Sequence, residues 1–337
     1  MKAIVLRAHG DNDLLTLENY FPDPVPEKNE VVIAVKASSL NYHDVFTRRG
    51  MPGITLQFPV IIGLDVAGEI ISLGEGVDGW NIGDRVLVDP VNRIDGGLIG
   101  ETRHGGLAEL CRVPQHQLIK LPDTVSFADA ASLPVAYGTA WRMMQSIGQI
   151  KPGEKVLILG ASGGVGVAAV QLAKLAGAYV IACAGTPEKA NRLTALGADE
   201  IILYRDADFM KVIYERHGKP ARRRHTATPG GVDVVVNFTG GDTWVKSLRT
   251  LRIGGRLLTC GATAGYAPPE DLRYIWTFEL QIFGSNGWER EDLHALLSLV
   301  EQGKLKAVID RQWPLAEGAD ALAALEARQV FGKAVVA

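Results

Sequence analysis

The chain has 337 residues, of which 47% are hydrophobic and 22% charged, with a formal net charge of -3. Those proportions suit a globular enzyme of two domains. They give no electrostatic support for nucleic acid or an anionic membrane as a partner, and no apolar run approaches the roughly 20 residues that cross a bilayer.

The first residues, Met1 to Arg7, are too short for the apolar core of a signal peptide and read as a first strand, so a cytoplasmic location is expected. Residues 1 to about 124 then carry short β-type runs broken by Gly and Pro: Val31 to Val35, Asp65 to Ile71 and Arg85 to Val88. That spacing predicts an irregular, mostly β domain. The texture changes at Val156-Leu157-Ile158-Leu159, a continuous apolar run expected of a strand buried on both faces. A helix is predicted over 164–176, then strand 179–184, helix 187–196, strand 200–203, helix 207–216, strand 232–238, helix 242–251 and strand 256–260. The alternation predicts a doubly wound parallel sheet. Helices near 289–302 and 315–327 and a final strand at 333–336 close the chain. Cys111, Cys183 and Cys260 are odd in number and far apart, which implies no disulfide framework. Cys183 and Cys260 lie in apolar runs and read as small core residues. The basic segment Lys219 to His225 reads as a solvated connection.

The segment Leu159-Gly160-Ala161-Ser162-Gly163-Gly164-Val165-Gly166 joins a predicted strand to a predicted helix. Such a turn cradles a dinucleotide pyrophosphate. Gly163 is expected to permit tight reversal and close backbone approach, Gly166 to let helix and strand pack, and the N–H groups of Ser162 to Gly166 to meet the phosphates. The end of the following strand discriminates NAD from NADP, because an acidic residue there binds the ribose hydroxyls. This chain has Gly185 at that point, followed by Thr186 and Lys189. With no carboxylate to repel a 2′-phosphate, NADPH is the expected cofactor.

Together with that turn, Asn41-Tyr42-His43-Asp44, Gly63-Leu64-Asp65-Val66-Ala67-Gly68, Gly83-Asp84-Arg85-Val86, Gly105-Gly106-Leu107-Ala108-Glu109, Tyr137-Gly138-Thr139-Ala140 and Gly332-Lys333 carry a resemblance spread over the whole chain. The sequence resembles a zinc-independent medium-chain dehydrogenase/reductase of the quinone oxidoreductase type. The resemblance implies an α/β fold in which a Rossmann doubly wound parallel sheet is inserted in a mostly β, GroES-like catalytic domain. The expected division is 1–124 plus 265–337 for the catalytic domain and 125–264 for the dinucleotide-binding domain. It also implies a homodimer, formed through the strand near 280–286.

The zinc alcohol dehydrogenases of the superfamily carry Cys where this chain has Asn41 and Gly-His-Glu where it has Gly63-Leu64-Asp65. Leu64 cannot bind a metal and Asn41 is a poor zinc ligand, so no metal site is expected. His43, Asp65 and His104 are left as an unorthodox alternative; His43 otherwise reads as a hydrogen-bonded or substrate-facing residue and His104 as an exposed loop residue. Without a Lewis acid, hydride addition to a conjugated acceptor is less demanding than alcohol oxidation. The expected substrate is therefore a quinone, an enone or an enoyl thioester. Two alternatives are an alcohol dehydrogenase or carbonyl reductase that lost its metal ligands, and an NADPH-binding protein without turnover.

By the same resemblance Asn41 and Tyr42 are the catalytic candidates, Asn41 donating to a substrate oxygen and Tyr42 supplying a hydrogen bond or proton. Asp44 and Arg48 are expected to form an ion pair supporting their loop. Thr139, Tyr204, Asn237, Gly261, Ala262, Phe283 and Ser285 are expected to line the cofactor, with Tyr204 beside the 2′-phosphate. Lys333 is expected to reach the adenine-side phosphate.

Overall fold

Apolar residues at the start of the chain form β1 (Ala3–Leu6), which pairs antiparallel with β2 (Leu15–Glu18). The 11-residue β3 (Glu30–Leu40) ends at Asn41, where α1 (Tyr42–Arg49) begins. β4 (Val60–Ile61) returns to the free side of β1. β5 (Asp65–Leu73), β6 (Arg85–Val88), β7 (Leu110–Pro114) and β8 (Leu118–Lys120) build an antiparallel sheet around β3. The short α2 (Phe127–Ala131) and a π-type turn over Leu133–Gly138 follow.

A computed structural model describes residues 1–222 and 229–337. Within it the chain divides into two units, one of Met1–Gly138 with Glu289–Ala337 and one of Thr139–Trp288. Of the basic segment singled out in the sequence, Arg223, Arg224 and His225 lie outside the described residues.

The second unit opens with the single-turn α3 (Thr139–Trp141). β9 (Lys155–Ile158), α4 (Gly164–Leu175), β10 (Tyr179–Ala184), α5 (Pro187–Ala195), β11 (Glu200–Leu203), α6 (Phe209–His217), β12 (Val232–Val236), α7 (Thr243–Thr250) and β13 (Leu251–Thr259) then alternate. After α8 (Leu272–Thr277), β14 (Gln281–Gly284) adds a last strand. All neighbours are parallel, in the order β11-β10-β9-β12-β13-β14. Central β9 has Val156, Leu157 and Ile158 fully buried, as its unbroken apolar run requires when helices cover both faces.

The chain then returns to the first unit with α9 (Arg290–Glu301), β15 (Ile309–Trp313), α10 (Gly318–Glu326) and β16 (Lys333–Val336). β16 pairs antiparallel with β3, Ala334 opposite Leu40 and Val335 opposite Ser39. Its core gathers Ile4, Leu6, Leu40, Val45, Ile61, Leu107, Leu322 and Val336 from both ends of the chain. The boundaries differ from those expected. Residues 125–138 stay with the β unit, and 265–288 belong with the parallel sheet because β14 hydrogen-bonds along β13.

Candidate active site and cofactor cradle

In the first unit, β3 ends, α1 begins and β5 begins at one place, and β16 brings Lys333 to it. Asp65, fully buried, accepts at Oδ1 from the Val135 N–H (3.0 Å) and at Oδ2 from Asn41 Nδ2 (2.8 Å) and Lys333 Nζ (3.4 Å). Lys333 Nζ also donates to the Leu40 carbonyl (2.9 Å) and to Asn41 Oδ1. Asp44, one turn into α1 and equally buried, accepts from the Asn41 N–H (2.8 Å) and the Gly63 N–H (3.1 Å). Two carboxylates and one ammonium are thus removed from water together. Burial pushes Asp44 up to about 6 and raises Asp65 despite Lys333 beside it; burial likewise lowers Lys333 despite Asp65.

Three expectations are corrected here. Asn41 donates to Asp65 and to the Ser39 carbonyl (3.3 Å) and accepts from Lys333, so its amide is engaged inside the protein rather than turned toward a substrate oxygen. Lys333 is 1% exposed and held by three oxygens, which removes it from the cofactor phosphates. Asp44 and Arg48 do not pair: Asp44 caps backbone N–H groups, and the buried Arg48 guanidinium reaches Asn12 (2.8 Å) and Glu326 (3.0 Å) instead.

Around this cluster two side chains remain outward. Tyr42 packs its ring edge-on against Phe46. His43 is half-buried and bonds through Nε2 to Glu101, whose carboxylate also accepts from Thr47 Oγ1 (3.1 Å). Nothing in the sequence pairs His43 with Glu101, 58 residues on; only the fold brings the carboxylate to the ring. His104 accepts from the Ile61 N–H (3.3 Å), and burial lowers its pKa. Among the described residues no three His, Cys, Asp or Glu side chains converge as metal ligands. Leu64 is apolar and buried and the Asn41 amide is engaged, so the donor set does not fit a zinc ion.

The second unit holds the glycine turn. The reversal falls on Gly160 (φ +66) and not, as expected, on Gly163. Gly163 closes that turn by donating its N–H to the Gly160 carbonyl (3.0 Å). A Cβ at Gly166 would stand 2.3 Å from the Gly160 oxygen and 2.6 Å from the Ala161 backbone, whereas one at Gly163 would meet nothing nearer than 3.6 Å. Gly166 is therefore demanded by the protein's own packing. The open face over Gly163 is not, and it leaves a cradle that a Cβ would fill. α4 starts there with no side-chain cap, so the N–H groups of its first turn at Gly164, Val165 and Gly166 point at that face with positive dipole.

At the end of β10, a Cβ on Gly185 would meet the Tyr204 hydroxyl at 2.6 Å. Tyr204, 47% exposed, thus lies directly over Gly185. Thr186 caps α5 by accepting from the Lys189 N–H (3.3 Å), which leaves its hydroxyl proton to donate. Asn237 is a further correction. It is fully buried, donates to Thr243 and Ser247 and accepts from the Thr239 and Gly240 N–H groups, so it shapes the loop after β12 rather than touching a ligand. Ser285, just past β14, has a buried hydroxyl with no partner among the described residues; such an orphaned group is what a bound polar ligand satisfies. Thr139, Gly261, Ala262 and Phe283 also fall within the second unit. The open cradle, the uncapped helix and the orphaned Ser285 fit a dinucleotide.

A model of the alcohol dehydrogenase GroES-like domain matches residues 27–123, and one described as zinc-binding dehydrogenase matches 164–302. The crotonyl-CoA reductase of Streptomyces collinus is 32% identical, over 87% of this chain and 75% of that protein. The chain belongs to the medium-chain dehydrogenase/reductases. Within that family it falls in the zinc-independent, quinone oxidoreductase-like branch and is an oxidoreductase. Human quinone oxidoreductase is 29% identical over 95% of this chain and 92% of its own. Among solved structures, an NAD-dependent alcohol dehydrogenase superposes with a TM-score of 0.89 at 35% identity, covering 100% of this chain and 99% of the other. The 2-octenoyl-CoA carboxylase reductase CinF, solved with NADP and 2-octenoyl-CoA, gives 0.86 at 29% identity, covering 99% and 87%.

Proposed function

We propose that this medium-chain reductase uses NADPH to reduce quinones and enoyl thioesters without a metal. The observation that carries the cofactor choice is the end of β10. Gly185 places no carboxylate there, and the Tyr204 hydroxyl occupies the space above it. Thr186 and Lys189 complete a site for a 2′-phosphate, while the first turn of α4 holds the pyrophosphate and Ser285 takes one ligand hydrogen bond. Bound NADPH supplies a hydride to the conjugated acceptor. The electrons it displaces end on an oxygen or an enolate, a diffuse charge that needs hydrogen-bond donors rather than a Lewis acid.

The likeness to an NAD-dependent alcohol dehydrogenase favours a second reading, alcohol oxidation with NAD. The donor set at Asn41 and Leu64 argues against its zinc-dependent form. Oxidation of NADPH and NADH is followed with crotonyl-CoA and a benzoquinone, and reduction of NADP and NAD with simple alcohols. Turnover of either acceptor with NADPH is expected, and Gly185→Asp shifts preference toward NADH. Alcohol oxidation alone, or an unchanged preference in the Asp variant, refutes the assignment. We further propose a homodimer joined through the free edge of β14, where Gln281, Ile282 and Gly284 are exposed. No helix among the described residues is long and apolar enough to cross a membrane. Three free cysteines suit the reducing cytoplasm.

A further inference from the structure

Reduction of an enoyl thioester needs a proton at carbon. Hydride addition at Cβ moves the C=C electron pair toward the thioester and leaves an enolate, whose α-carbon then takes a proton. A reduced quinone is protonated on oxygen, which exchanges freely with water. The two acceptors therefore differ in their need for a placed acid.

Within the first unit Asn41, Asp44, Asp65 and Lys333 hold one another, and none presents a proton outward. His43 is different. It sits in the first turn of α1, two residues after Asn41, with its side chain 35% exposed. Nε2 is fixed by Glu101, which Thr47 steadies from the next turn of the same helix. Nδ1 has no hydrogen-bond partner among the described residues and is not a buried atom. A carboxylate behind one ring nitrogen and an open second nitrogen is the arrangement by which a histidine is oriented to pass a proton.

We propose that His43, positioned by Glu101, is the general acid that protonates the α-carbon of the enolate when the acceptor is an enoyl thioester. The proposal rests on the reductase reading above. The proton leaves Nδ1 of the imidazolium, the new C–H bond takes the enolate electron pair, and the neutral ring is reprotonated from water. Hydride and proton together account for both hydrogens gained. The surroundings favour the cation. Burial opposes protonation, but the Glu101 bond and the fields of Glu101, Asp44 and Asp65 outweigh it and raise the ring above its ordinary value. Lys333, the one cation in the cluster, is paired with Asp65.

The test compares wild type with H43Q, E101Q and Y42F. Rates are measured across pH with crotonyl-CoA and with a benzoquinone. Deuterium at Cα is located after turnover in D2O, and the His43 ring is titrated by NMR in the ligand-free protein. H43Q is expected to lower kcat with crotonyl-CoA by roughly 10²-fold, with a loss about tenfold smaller or less on the quinone. It also loses the decline in rate with rising pH and the facial selectivity of deuterium. E101Q keeps the ring but moves both its titration and the rate decline to lower pH, and this arm stands even if H43Q does not fold. An H43Q enzyme with wild-type pH profile and deuterium placement overturns the proposal, as does Y42F producing those losses instead. A wild-type enzyme that reduces the quinone but not crotonyl-CoA, or neither, refutes the enoyl reductase reading itself and the proposal with it. The NMR titration reports the His43–Glu101 coupling separately.

Discussion

Replacing Lys333 by Met tests whether the buried cluster is held by charge. The substitution keeps an unbranched side chain, one atom shorter, and removes an ammonium bonded to the Leu40 carbonyl, Asn41 Oδ1 and Asp65 Oδ2. Asp65 is fully buried and would lose the ammonium paired with it, beside a second buried carboxyl at Asp44. Breaking a buried pair from one side costs about 3–5 kcal/mol, because the remaining charge stays desolvated. The cost must depend on pH. Burial already raises Asp65, and the field of Lys333 is the largest influence holding it down. Without that field Asp65 binds its proton still more firmly than in the unfolded chain. Where the folded protein holds a proton that the unfolded chain has released, stability falls as pH rises. K333M should therefore come closest to wild type at about pH 3, below the ordinary carboxyl value of 3.8, where the group is largely neutral folded or unfolded, and carry the full deficit at about pH 8. Urea denaturation at the two pH values measures the difference, with amide exchange along β3 and β16 reporting the first unit alone. K333M/D65N keeps an acceptor for Val135 and removes the unpaired charge, so it should recover about half of the loss at pH 8. A deficit below about 1 kcal/mol at pH 8, or one equal at both pH values, refutes the reasoning.

Two further outcomes follow from the geometry. G166A forces a Cβ to within 2.3 Å of the Gly160 oxygen; it should cost about 1–3 kcal/mol in thermal denaturation, whereas G163A, with no neighbour inside 3.6 Å, should change stability by about 0.5 kcal/mol or less yet weaken NADPH binding in a fluorescence titration. Equal NADPH affinity in G163A and wild type would remove the cradle from the cofactor site. Asp44, which burial lifts from 3.8 to about 6, makes the first unit lose stability as pH rises from about 4 to about 6 and adds no further change above that window; a D44N variant whose stability retains the same slope across that window contradicts the assignment.

Much of the second unit was legible because its signals are local. The apolar run at 156–159, the glycines at 163 and 166 and the gap between β9 and β10 lie within about two dozen residues, and sheet and helices formed where periodicity put them. The α/β order follows from these local signals, whereas 265–288 join the parallel sheet through β14, four residues long, whose membership depends on pairing with β13. In the first unit local signals misled. The four-residue spacing of Asp44 and Arg48 suits a helical ion pair, yet Arg48 finds Glu326, 278 residues away, and Asp44 faces the backbone at Gly63. Gly332-Lys333 marked the family, but only the register of β16 on β3 shows that the ammonium lies against Leu40 and Asn41.

That register bears on the chemistry. Asn41 and Asp65 stand where the zinc enzymes carry a thiolate and a carboxylate, and here both are bound to Lys333. The fixed cation neutralises Asp65 and orients the Asn41 amide, but its N–H groups are directed at the protein and it is shut off from water. It cannot polarise a substrate carbonyl as a metal with an open position does. A centre of this kind favours acceptors whose negative charge is already delocalised, and it leaves proton delivery to groups at its margin. His43 is such a group: it shares the first turn of α1 with the cluster, feels the fields of Asp44 and Asp65, and keeps one ring nitrogen outside their hydrogen bonds.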